Sequence, residues 1–140
     1  MRRRPPHPLL GRITLALLPG AFALDIAGAA WGGPFTALAD GALRIGLLAG
    51  LGAVIAGVYE IYARDIPGAA LRVLLGHAAA MHVGWIVFLV SFLMRDDRPA
   101  SATAIGLAFV GTILMVGGAL LGEWLVARYA VGLKRIARAL

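Results

Sequence analysis

The sequence predicts an all-α integral membrane protein, a four-transmembrane-helix bundle running up-down-up-down. Four apolar stretches follow one another, each of about 20 residues or more, enough to cross a hydrocarbon core of ~30 Å. Charged residues make up 14% of the chain against 61% hydrophobic, and the mean hydropathy is +0.88. A soluble domain averages about 25% charged residues, so this chain lacks the charge to cover a water-facing surface. The basic residues, finally, fall unevenly on the two ends of such a bundle.

The 140 residues read as one transmembrane domain, 1–140, with spans at approximately 9–30, 42–63, 69–94 and 102–127. The first span ends at Trp31-Gly32-Gly33-Pro34, a strong breaker. The second stops before Arg64-Asp65-Ile66-Pro67-Gly68, and the third at Arg95-Asp96-Asp97-Arg98-Pro99. The fourth leaves a basic tail through Arg138. The first span is the least apolar, since it carries Arg12 and Asp25. Met1-Arg2-Arg3-Arg4 before an apolar run imitates a secretory signal, with Ala27-Gly28-Ala29-Ala30 imitating a cleavage site. Arg12 and Pro19 interrupt that run, so a retained first helix is expected.

Both termini and the middle loop share one side, which has Arg2, Arg3, Arg4, Arg12, Arg64, Arg72, Arg128, Lys134, Arg135 and Arg138. The other side has Arg44, Arg95 and Arg98. Ten against three places the termini in the cytoplasm by the positive-inside rule. Membrane topology thus accounts for the net charge of +6, and nucleic-acid binding is not expected. The lack of cysteine excludes disulfides, thiolate metal sites and cysteine-ligated iron–sulfur clusters. No nucleophile elbow, phosphate-binding loop, metalloprotease helix or dinucleotide fingerprint is present, so no catalytic residue is assigned and a conventional enzyme is not expected.

Small residues four apart let helix backbones approach closely in lipid, where packing replaces the hydrophobic effect. Gly46 and Gly50, Gly118 and Gly122, and Gly76, Ala80 and Gly84 have that spacing and are the expected packing positions.

Ionisable groups at bilayer depth cost several kcal/mol on most scales, so each asks for an explanation. Alternating helix direction puts His7, Arg12, Glu60, His77 and Glu123 in one leaflet. Asp25 stands alone near the far side, and His82 lies near mid-membrane. Stripes of small residues beside Glu60 (Gly57, Ala56, Ala53), Glu123 (Ala119) and His77 (Ala80, Gly84) turn these side chains into the bundle. The expected buried polar cluster is Arg12, Glu60, His77 and Glu123. One reading is structural: Arg12 pairs with Glu60 or Glu123, and His77 bonds a carboxylate. A ligand role for His77, or proton or ion handling by the two glutamates, competes with it. His82 is five residues from His77, about 140° around the helix, so the two cannot be opposite axial ligands of one haem. A core or lumen histidine is the simpler reading of His82, and a helix cap that of His7.

The ordered set His7-Pro8, Asp25, Gly57-Val58-Tyr59-Glu60, His77 and Gly122-Glu123-Trp124-Leu125-Val126 through Leu133 resembles a bacterial family of predicted transmembrane domains of unknown function, number 2231. Glu60 stands where that family usually has Asp, Met81 where a polar Asn often follows the third-helix His, and Glu123 and Ala130 replace small glycine positions. The resemblance implies four helices and the bacterial inner membrane, and no established activity. Some members are joined to Rieske domains, which implies a link to membrane electron transfer.

Two functions from different classes follow. The first is a redox-associated component holding haem b through His77 and a second ligand such as His7, since haem in bundles is held by imidazoles on facing helices. The second is a non-catalytic accessory or assembly subunit of a larger membrane complex. The partners to consider are the lipid bilayer, such a complex, a redox partner and a second copy of the chain. No metal site outside haem is expected.

Overall fold

In a computed structural model the described residues, 7–62, 68–95 and 100–129, form four α-helices. The basic residues Arg2, Arg3, Arg4, Arg64, Arg98, Lys134, Arg135 and Arg138, and the closing motif from Ala130 to Leu133, lie outside them. The helices are α1 (His7–Trp31), α2 (Pro34–Tyr62), α3 (Gly68–Leu93) and α4 (Ala102–Tyr129). Each is long and apolar enough to cross a membrane.

Helix α2 begins eight residues before the expected start at Ala42. Its Asp40 dilutes the hydropathy of this segment without weakening its helix. Gly32 and Gly33 both adopt φ 65°, the left-handed region, and the Gly32 N–H donates to the Gly28 carbonyl at 2.8 Å. That bond closes α1 in the manner of a left-handed C-terminal cap. Pro34 then starts α2 at the one helical position where its missing N–H costs nothing. Arg44 donates to Asp40 one turn earlier at 2.7 Å, supporting the new helix. At α4, Ser101 accepts from the Ala104 N–H at 3.2 Å as an N-cap.

The helices associate as two hairpins. The start of α1 meets the end of α2, where His7 bonds the Ala53 carbonyl, and Gly28 near the end of α1 lies against Thr36 near the start of α2. In the second hairpin His77 of α3 bonds the Gly118 carbonyl of α4, while Ser91 donates to the Ala104 carbonyl at 2.7 Å. These contacts are consistent with an up-down-up-down bundle. Packing is dense within each hairpin and sparse between them.

The two hairpins repeat one pattern of burial. Thr14, Leu18, Ala21 and Asp25 are buried on α1, and Gly84, Phe88 and Ser91 of α3 and Arg95 just beyond it face inward, each seventy residues later. On α2 and α4 the pairs Ala39 and Ala104, Leu43 and Ala108, Gly46 and Gly111, Gly50 and Met115, and Ala53 and Gly118 stand sixty-five apart. The offset is constant along each helix, so the two hairpins present the same pattern of inward-facing positions.

Most of the packing glycines sit at close approaches. A Cβ would stand 2.6 Å from Leu18 at Gly46, 2.7 Å from Met115 at Gly84, 3.0 Å from Met81 at Gly118 and 2.9 Å from the His77 ring at Gly122; at Gly50 it would enter the Trp85 indole. Gly76 is the exception. It is exposed, and its nearest neighbour is one Leu121 methyl at 3.9 Å, so the four-residue spacing on α3 marks packing only from Ala80 onward.

Candidate functional site

A cavity of about 560 Å³ opens between the hairpins in the half of the bundle where α1 and α3 begin. All four helices line it, and the lining ends toward the other half at Leu15, Gly50, Trp85 and Met115. Trp85 closes this level: its indole N–H donates to the Leu47 carbonyl of α2 at 3.0 Å, and its ring occupies the space above Gly50. The walls are mainly apolar, as ligand cavities are, with a few polar groups from each side.

His7, His77 and His82 all line the cavity. His7 is the first residue of α1 and its Nδ1 donates to the Ala53 carbonyl at 2.8 Å. His77 Nδ1 donates to the Gly118 carbonyl at 2.7 Å. A carbonyl only accepts, so both rings carry a proton on Nδ1, and the neutral imidazole then presents Nε2 as a lone pair. Each ring lies on a glycine one turn beyond its carbonyl partner: a Cβ on Gly57 would be 3.0 Å from His7, and one on Gly122 would be 2.9 Å from His77. These are corresponding positions of the two hairpins. Both histidines also stand seven residues, about 10 Å at 1.5 Å per residue, before the buried positions Thr14 and Gly84 that correspond in the two hairpins, so they occupy one level. Helix α3 simply starts earlier than α1 relative to that level. His82 Nδ1 donates within its own helix, to the Ala78 carbonyl at 2.6 Å.

The expected partnerships inside the cluster are replaced by others. His77 bonds a main-chain carbonyl, not a carboxylate. Arg12, Glu60 and Glu123 line the same cavity, yet no ion pair joins Arg12 to either glutamate; elsewhere Asp40 pairs with Arg44 and Asp25 with Arg95. Asp25 is therefore not alone. Arg95 donates to both its oxygens, at 2.8 and 2.6 Å, with both side chains almost wholly buried. A fork-on-carboxylate pair of this kind is among the stronger polar contacts. It joins α1 to α3, hairpin to hairpin, at the end away from the cavity.

Reading the residues one span at a time missed Trp85, Arg95 and the carbonyls of Ala53 and Gly118. The signal that points to them is the shared offset: His7, Thr14, Leu18 and Asp25 are spaced as His77, Gly84, Phe88 and Arg95. Backbone carbonyls leave no trace in residue type, but Gly57 and Gly122 mark where a ring comes close.

The architecture defines a class: a small polytopic membrane protein of two repeated hairpins with a histidine-bearing cavity between them. Within that class the chain belongs to DUF2231, a family of predicted membrane proteins, whose profile matches residues 3–135. Neither the curated proteins nor the solved structures contain a match.

Proposed function

We propose that the protein is a redox-associated component of a bacterial cytoplasmic membrane, holding one b-type haem between its hairpins, with His7 and His77 as the residues that would hold its iron. Both termini lie on the cytoplasmic side, as the positive-inside distribution favours. The observation that carries the reading is the matched pair of histidines. Each is fixed through Nδ1 to a carbonyl of the neighbouring helix, at one level, in one cavity shared by both hairpins. A hydrogen bond from the distal nitrogen of an imidazole is the usual way a protein orients a metal-ligating histidine and selects Nε2 for the metal.

Two imidazoles suit haem better than a bare ion. Among the described residues no group of three or more His, Cys, Asp or Glu is placed to hold a metal ion. A porphyrin brings four ligands of its own and leaves two axial positions to fill. Haem supplies a one-electron couple; the chain supplies the two ligands, the apolar walls and the Trp85 floor that separates the site from the rest of the core.

The full-length chain expressed with ample haem is expected to purify with a Soret band and the spectrum of a bis-imidazole ferric haem. His77→Ala and His7→Ala are each expected to abolish that six-coordinate spectrum. A wild-type protein without a Soret band overturns the reading.

A further inference from the structure

Resting on the haem reading, we infer that Arg12 binds a carboxylate of the cavity's ligand, namely a haem propionate, and so sets which edge of the macrocycle faces the mouth. Among the described residues Arg44 pairs with Asp40, Arg95 with Asp25, Arg128 lies over the Trp124 ring, and Arg72 is exposed near the start of α3 away from the cavity lining. Arg12 lines the cavity and takes part in no ion pair among the described residues. A guanidinium always carries its charge, and within a membrane span that charge requires an anion, water or a route to the interface.

The geometry suits a ligand whose charge is set back from its metal. Arg12 is five residues after His7, about 7.5 Å along α1, and helical side chains lean toward their own N-terminus, which for α1 is the cavity mouth. Arg12 is exposed where it lines the cavity, and a side chain leaning this way would lie beside the histidine level, keeping the charged edge of a bound ligand toward water. The corresponding position on α3 is His82, which also lines the cavity. A basic side chain from each hairpin thus flanks the level of His7 and His77, and haem carries two propionates on one edge. Arg12 is the stronger of the two, because its fork matches a carboxylate in two bonds.

The test titrates the full-length protein in neutral detergent with ferric haem and with haem dimethyl ester, in which both carboxylates are masked. Wild type is expected to bind haem roughly ten- to a hundredfold more tightly than the ester, the range of a charge-assisted hydrogen bond. Arg12→Gln is expected to lose that preference while binding the ester as wild type does, with an unchanged Soret position because the iron ligands are untouched. Arg12→Lys is expected to keep part of it. Equal preference in wild type and Arg12→Gln overturns the inference while leaving the haem site standing. Failure of both porphyrins to bind wild type removes the haem reading and the inference together.

Discussion

At the scale of single residues, the glycines beneath the imidazoles are the sharpest constraint in the site. A methyl on Gly122 would press on the His77 ring at 2.9 Å, and one on Gly57 on His7 at 3.0 Å. Either alanine substitution is expected to lengthen the Nδ1 bond to Gly118 or Ala53 and to cost about 1–3 kcal/mol of overpacking. Nitrogen NMR of the labelled histidines checks this directly, since the affected ring should lose its fixed Nδ1–H tautomer. Gly50→Ala is expected to be harsher, because the new methyl enters the indole and Trp85 must release Leu47. A larger fall in thermal unfolding temperature than for Gly57→Ala is the expected result. The titratable and small residues of the site were legible in the sequence because charge in an apolar span is conspicuous and glycine stripes mark inward faces. Their partners were not. A carbonyl acceptor such as that of Ala53 belongs to every residue, and only the fold selects one.

At the scale of elements, helix ends show where hydropathy misleads. Residues 34–41 are helix because two left-handed glycines turn the chain and Pro34 restarts it, while Asp40 only lowers the local hydropathy. Gly33→Ala is expected to cost about 1–2 kcal/mol, the penalty of a Cβ in the left-handed region. Ser101→Ala should remove the α4 cap at about 1 kcal/mol. Chemical unfolding in mixed micelles, followed by helical circular dichroism, measures both. Capping residues were present in the sequence, but an end set by backbone conformation leaves weaker marks than one set by a charge run. Arg95 shows the reverse error: a position that reads as the start of a polar loop carries a side chain that turns back into the core.

At the scale of the molecule, the bundle is tight within hairpins and loose between them, so the few links across the gap matter most. Asp25–Arg95 holds one end and the Trp85 bond to Leu47 holds the middle, leaving the remaining half to part around the cavity. Asp25→Ala is expected to destabilise the fold by about 3–5 kcal/mol, because it strands a buried guanidinium. Replacing both partners together by leucine should cost much less. Reversible unfolding of the two variants side by side decides the point, and equal losses would count against a desolvated pair. The outer surface, by contrast, is a field of exposed aliphatic side chains such as Ile45, Leu48, Ile55 and Leu75, suited to lipid contact.

The repetition of one hairpin by the other has a consequence for assembly. Since 25 and 95 are corresponding positions, two first hairpins brought together would oppose two carboxylates, and two second hairpins would oppose two guanidiniums. Like charges facing each other in a dry setting repel strongly, so either homotypic arrangement is penalised while the mixed one is rewarded. Each half is therefore complementary to the other and antagonistic to itself. Two identical hairpins would lack this asymmetry, and with it the means to favour the mixed pairing over the homotypic ones.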